Sequence, residues 1–437
     1  MDIIIQKNKR LKGEIKLPGD KSISHRALIF GAISEGITEI SNILRGNDVF
    51  STLNCLKKLG VKIEEKQDLV IIQGDKLKEP EDILDCGNSG TTIRLLSGVL
   101  ASQPFYSVLT GDNSLRNRPM DRIIKPLKMM GGKLYGRNNN RFPPITIIGE
   151  KLKGINFKME IASAQVKSCI ILATLFSEGN TEIEEQYQTR DHTERMLKYF
   201  GGQIEIEERR IFIKGNQKLK GRKIFIPGDF SSACYFITAS LLIPESEIIV
   251  KDVGLNPTRI GFLKIIERMG GKFEILNQKE ICNEPVGDIK VYYSGKLNGV
   301  EITPEEVPNV IDEIPLIAVL GSVAKGKTIV SGAKELRVKE SDRIKAIATE
   351  LKKMKANIFE KEDGFIIEGV DRLTAAEVES WDDHRIAMSL FIAGIIADGK
   401  TVLKNAECVK ISFPEFFDKF RELGVYFETS NQKGDRK

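Results

Sequence analysis

The sequence predicts an α/β protein of two similar domains, each built from three repeats of about 70 residues. Three observations predict it. A short phrase recurs six times: "LKKLGVKIE" from Leu56, "LKMMGGKLY" from Leu127, "LKYFGGQIE" from Leu197, "IERMGGKFE" from Ile266, "LKKMKANIF" from Leu351 and "FRELGVYFE" from Phe420. Its corresponding positions Gly60, Gly131, Gly201, Gly270, Lys355 and Gly424 are separated by 71, 70, 69, 85 and 69 residues. Each repeat also holds a longer helix rich in small residues, starting near Lys21, Asn88, Ser163, Asp229, Asp312 and Asp383. Finally, "LPGDKSISHRALIFGAI" (17–33) matches "IPGDFSSACYFITASLL" (226–242), and Asp20 and Asp229 lie 209 residues apart, which is three repeats.

The phrase reads as a helix end, a glycine C-cap and a strand. Most of the long helices are followed by a turn and a strand, as in "SEGNTEIEE", "AKGKTIVSG" and "ADGKTVLKN". Units of this size are large for a solenoid, so two compact domains of three units each are expected. The two matched segments place the boundaries. Residues 17–228 form an inserted domain, and 1–16 with 229–437 form a domain containing both termini. Residues 276–290 ("LNQKEICNEPVGDIK") read as a surface excursion, and the tail "SNQKGDRK" (430–437) as frayed.

Composition narrows the class. The 437 residues are 41% apolar and 29% charged, as in a globular protein with a large core. The balance of 66 basic and 61 acidic residues, net +5, is too even for a nucleic-acid binder but suits a small anionic substrate. Six scattered cysteines without a CxxC pair read as reduced thiols, and no signal peptide or transmembrane run is evident. The expectation is a cytoplasmic monomer.

The chemistry-bearing residues gather at the starts of the long helices: Asp20, Lys21, Ser22 and Arg26; Asn88, Gly90, Thr91 and Arg94; Ser163, Gln165 and Lys167; Asp312 and Glu313; Asp383, His384 and Arg385. Helix N-termini present unpaired N–H groups and a positive dipole end, so several converging ends would hold an anion. Asn88, Ser163, Asp229 and Asp383, each taken alone, are more simply N-caps. Caps do not explain Lys21, Arg26 and Arg385, which the dipole disfavours by about 0.3–1 kcal/mol each. Two loops add cations: "GDNSLRNRPM" (111–120), with Arg116 and Arg118 before a helix near Pro119, and "ELRVKESDRIKAI" (335–347). If the second is helical, Lys339 and Arg343 are i,i+4 neighbours flanking Glu340. The plain alternative there is a solvated, salt-bridged surface helix. The spacing of the three histidines matches no metal-ligand pattern, and no nucleotide-phosphate loop motif is present.

Taken in order, "LPGDKSISHRAL", "GNSGTTIRLL", "LTGDNSLRNRPM", "SAQVKSCIILA", "TRDHTERML", "ELRVKESDRI", "DDHRIAMSL" and "SFPEFF" closely resemble the 3-phosphoshikimate 1-carboxyvinyltransferase (EPSP synthase) family, in its branch with SAQ and TRDHT motifs. The resemblance implies two domains of three βαβαββ units each, an inside-out α/β barrel with helices inside and sheets outside, and an active-site cleft between the domains. It implies transfer of the enolpyruvyl group of phosphoenolpyruvate to the 5-hydroxyl of shikimate 3-phosphate, with no cofactor and no metal.

Position by position, the resemblance makes Asp312 the base at the 5-hydroxyl, Glu340 the proton shuttle at C3, and Lys21 an assistant to both steps. It gives shikimate 3-phosphate to Lys21, Ser22, Arg26, Ser163, the Ala164 backbone, Gln165, Arg190, Asp312 and Lys339. It gives phosphoenolpyruvate to Lys21, Gly90, Arg118, Gln165, Arg343, Arg385 and Lys410. Shikimate 3-phosphate, with ligands in both domains, is expected to draw them closed. Ala164 replaces a second serine and Glu335 an asparagine found in many members, and Lys410 is shifted by one residue relative to some. Gly90 lacks a methyl group that would crowd inhibitors of phosphoenolpyruvate size, which implies a glyphosate target. A sister enzyme on the same fold uses a UDP-sugar acceptor and usually carries a cysteine in the 111–120 loop, where this chain has none.

Overall fold

The six recurrences of the phrase each end a helix and begin a strand in the computed structural model, which describes residues 1–430. After the helix Asn47–Lys58, Gly60 N–H bonds Lys57 O at 3.0 Å and Val61 N–H bonds Leu56 O at 3.1 Å. Such closure requires a left-handed residue; Gly60 has φ 80°, the other four glycines of the phrase are also positive, and Lys355 takes φ 65° in the fifth copy. From residue 431 the expected frayed tail lies outside the described residues.

Six four-stranded sheets share one strand order. In the first, Lys223–Phe225 runs parallel to Gly36–Ser41, which pairs antiparallel with Leu69–Gly74, which pairs antiparallel with Lys62–Glu65. The repeat is therefore α/β throughout, as the sequence predicts. The chain divides into two compact units. The inner unit comprises Pro18–Pro227 with Glu280–Glu284. The terminal unit comprises Met1–Leu17, Gly228–Lys279 and the chain from Pro285 onward. Three of the sheets fall in each. In the terminal unit Asp2–Gln6 pairs with both Lys400–Lys404 and Phe427–Ser430, and Lys12–Lys16 runs parallel to Glu247–Gly254.

The six long helices are α1 (Lys21–Ile33), α2 (Gly90–Leu100), α3 (Ala164–Thr174), α4 (Phe230–Leu242), α5 (Ile314–Val323) and α6 (His384–Ile396). They are apolar on nearly every face and so are buried within their units. The strands alternate, as in Leu69–Gly74, where Val70 and Ile72 are fully buried between more exposed neighbours. Helices therefore form the inside of each unit and sheets the outside. Close approach is built in: a Cβ on Gly98 of α2 would lie 2.2 Å from Cys169 O of α3.

Two expectations are corrected. Residues 276–290 are not an irregular excursion but most of a long β-hairpin, Lys272–Ile281 and Glu284–Tyr292, which accounts for the one long repeat spacing. Its two-residue turn uses Cys282 and Asn283, both at positive φ (52° and 64°), without the glycine that usually signals such a turn. Segment 335–347 is not one helix. A 3₁₀ turn ends at Val338, and Asp342 caps a new helix, Arg343–Lys353, by accepting from Lys345 N–H at 3.0 Å. Lys339 and Arg343 are therefore not helical i,i+4 neighbours. Three helix starts also shift by two residues, to Gly90, Asp121 and Ile314. At the last, Pro315 is tolerated only in a first turn, which leaves Asp312 in the preceding loop.

Candidate active site

The helix starts of the inner unit present mostly cations. Asp20 caps α1 by accepting from Ile23 N–H at 2.9 Å, which orders Lys21 and Ser22 in the first turn. Lys21 Nζ lies 3.0 Å from Asp48 Oδ2. Arg26, one turn on, is buried and donates to Thr193 Oγ1 (2.6 Å), Ser168 Oγ (2.7 Å) and Ser22 O (2.9 Å). All three acceptors are neutral. Burial lowers its pKa to about 10, with nearby Arg190 adding to the effect, and it stays charged at neutral pH.

Ser89, not Asn88, caps α2 by accepting from Thr92 N–H at 3.1 Å. Asn88 instead receives Arg118, through its backbone O at 3.1 Å and its Oδ1 at 2.5 Å. A Cβ on Gly90 would sit 3.2 Å from Arg94 Nη1 and 3.5 Å from Arg118 Nη1, so this glycine opens the floor between two guanidinium groups. Ser163 caps α3. Gln165 accepts from Arg94 Nη1 and donates to Thr91 Oγ1 at 2.9 Å, tying the starts of α2 and α3 together. Below it, buried Lys167 bridges Glu185 (3.1 Å) and Glu194 (2.7 Å) and reaches Thr189 O at 3.3 Å, beside Arg190.

The terminal unit supplies the acids, each held among cations. Asp312 lies 3.4 Å from Arg343 Nη1, 3.7 Å from Arg259 Nη1 and 3.9 Å from Arg385 Nη2. Arg343 Nη2 donates to Glu340 Oε2 at 2.6 Å, and its Nε donates to Asp383 Oδ2 at 2.8 Å. Burial alone would lower the Arg343 pKa, but Asp383 and Glu340 outweigh it and hold the value above the usual arginine range. Burial lowers Lys339, and Arg343 adds to that against the pull of Glu335 and Asp312. Asp383 caps α6 through Arg385 N–H at 2.8 Å. Asp312, Glu340, Arg343 and Arg385 thus form one cluster. Lys410 is exposed on the 3₁₀ turn Ala406–Ile411 and has no ion pair among the described residues.

A family model described as EPSP synthase (3-phosphoshikimate 1-carboxyvinyltransferase) matches residues 5–420. The chain belongs to the EPSP synthase family. The 3-phosphoshikimate 1-carboxyvinyltransferase of Thermoanaerobacter sp. (strain X514) is 54% identical over 425 residues, covering 97% of this chain and 100% of that protein. That of Carboxydothermus hydrogenoformans is 52% identical over 425 residues, covering 97% and 99%. A solved EPSP synthase from Acinetobacter baumannii aligns with a TM-score of 0.88 at 42% identity, covering 98% of this chain and 99% of that one.

Within this EPSP synthase family member, sequence reasoning missed Asp48, the partner of Lys21, and Arg259, the third guanidinium around Asp312. Asp48 carries no motif signal. Arg259 does: "TR" at 258–259 follows "TR" at 189–190 by 69 residues, a spacing of the repeat itself.

Proposed function

We propose that this chain transfers the enolpyruvyl group of phosphoenolpyruvate to the 5-hydroxyl of shikimate 3-phosphate, giving 5-enolpyruvylshikimate 3-phosphate and phosphate in the shikimate pathway. The observation that carries the reading is the placement of Asp312 and Glu340 on a single buried guanidinium, Arg343. Two carboxylates kept among cations supply both a base and an acid for anionic substrates. On this reading the chain is a monomeric, cytoplasmic enzyme.

Asp312 accepts the proton of the 5-hydroxyl as oxygen attacks C2 of phosphoenolpyruvate. Once phosphoenolpyruvate takes Arg343 from Glu340, the freed carboxylate binds a proton from solvent and delivers it to C3, and the positive charge building at C2 is quenched by the new C–O bond. The product of this addition is a tetrahedral ketal. Removal of a C3 proton by Glu340 then expels phosphate and restores the double bond. Lys21 assists both steps. Ser22, Arg26, Ser163, Ala164 through its backbone, Gln165, Arg190 and Lys339 hold shikimate 3-phosphate. Gly90, Arg118, Gln165, Arg343, Arg385 and Lys410 hold phosphoenolpyruvate. Arg26 suits a phosphate because its hydrogen bonds go to neutral oxygens, so no bonded carboxylate must be displaced. Each substrate's ligands are drawn from both units, and substrate binding brings them to bear on one reaction.

Phosphate release tests this reading. The purified chain is given phosphoenolpyruvate with either shikimate 3-phosphate or UDP-N-acetylglucosamine. Release with the first acceptor is expected; release with the UDP-sugar alone would reassign the activity.

A further inference from the structure

Asp312 is followed by a second carboxylate, Glu313, which is fully buried at the start of α5. Glu313 Oε1 accepts from Ser231 Oγ in the first turn of α4, while among the described residues its Oε2 has no hydrogen-bond partner. Two adjacent carboxylates oppose each other's ionisation, and burial worsens the conflict. One side chain engages both. Arg259 is buried, with Nη2 donating to Ser231 Oγ at 2.5 Å and Nη1 lying 3.7 Å from Asp312 Oδ2. It reaches Asp312 directly and Glu313 through one hydroxyl.

Its loop is built to hold it there. Asn256 Oδ1 accepts from Thr258 N–H (2.9 Å) and Thr258 Oγ1 (2.7 Å), and Asn256 O accepts from Arg259 N–H at 2.8 Å. These bonds close a tight turn before the helix Gly261–Arg268. The other charged groups around Asp312 are Arg343, Arg385 and Lys339, with Glu340 held on Arg343 and Glu313 next in the chain. Arg343 also serves Glu340 and Asp383, and Arg385 stands farther away, at 3.9 Å.

We infer that Arg259 is a positioning residue for the reaction, keeping Asp312 ionised and aimed beside the buried Glu313. This rests on the role proposed above for Asp312. Arginine suits this place because two nitrogens of one rigid planar fork reach two separate partners in fixed directions, which the single nitrogen of a lysine on its flexible stem does not reproduce.

The test is the pH dependence of kcat for phosphate release by wild type and Arg259→Gln. Losing the cation should move the acid limb up by about one pH unit, lower kcat at neutral pH by about tenfold, and leave both KM values within about threefold. A limb that stays in place overturns the inference, whatever happens to kcat. If the Gln variant does not fold, Arg259→Lys decides: kcat should fall by about tenfold with the limb in place, and a kcat within about twofold of wild type overturns it. A wild type that releases no phosphate with shikimate 3-phosphate overturns the underlying reading, and the inference with it.

Discussion

Arg343 donates to Glu340 at 2.6 Å, so a cation proposed for phosphoenolpyruvate and the acid proposed for its C3 form one ion pair. An incoming anion competes with Glu340 for that guanidinium and finds the acid already beside it. Glu340→Gln should therefore lower kcat by about 10²–10⁴-fold. KM for phosphoenolpyruvate should stay level or fall, because Arg343 loses a competitor. Steady-state phosphate release separates the two; a large rise in KM with kcat intact would make Glu340 a binding group.

Gly90 fronts Arg94 and Arg118 closely enough that a methyl group would lie 3.2 Å and 3.5 Å from their nearest nitrogens. Gly90→Ala should raise KM for phosphoenolpyruvate and weaken inhibition by glyphosate, leaving KM for shikimate 3-phosphate nearly unchanged. The fold should not suffer, since alanine is favoured over glycine in a helix by about 1 kcal/mol. Paired inhibition and thermal-melt curves check this, and a lowered melting temperature would count against it.

Lys167 is buried between Glu185 and Glu194. Burial alone would lower its pKa, but the two carboxylates raise it above the ordinary lysine value. Lys167→Met leaves both acids without their cation and should destabilise the chain by about 3–5 kcal/mol. The triple change with Glu185→Gln and Glu194→Gln should recover much of that loss. Urea unfolding reads both. A single variant as stable as wild type would show that the bridge contributes nothing.

His25 is buried with Nδ1 2.7 Å from Thr52 Oγ1, and burial first, then Lys21 and Arg26, hold its pKa well below 6.5. The unfolded chain takes up a proton near pH 6.5 that the folded chain refuses. Stability must therefore fall as pH drops below that value, by up to about 1.4 kcal/mol per pH unit from this residue. His25→Asn removes the titration, so its stability should decline less steeply between pH 6.5 and pH 5. Parallel slopes for the two proteins would exclude the assignment.

What was legible in the sequence followed from local rules repeated six times. Gly60 and its counterparts mark helix ends because few other residues accept that backbone conformation, and Asp20, Ser163, Asp229 and Asp383 cap helices as their side chains dictate. The hairpin around Cys282 and Asn283 was hidden because its turn lacks glycine. The break at Lys339 was hidden because a cap at Asp342 outweighs the charge pattern that suggested one helix. Asp48 was invisible because its pairing with Lys21 spans two helices and belongs to tertiary structure. Arg259 was visible only through the repeat spacing, since a lone arginine in a loop carries no local sign of the carboxylate it meets.

The most direct measurement is phosphate release by Asp312→Asn, with shikimate 3-phosphate binding followed by calorimetry on the same protein. Asparagine keeps the shape and cannot accept the proton. Release should fall at least about 100-fold while shikimate 3-phosphate still binds within about tenfold of its wild-type affinity. Release within about tenfold of wild type would show that Asp312 is not the base, and the account of this site would fail with it.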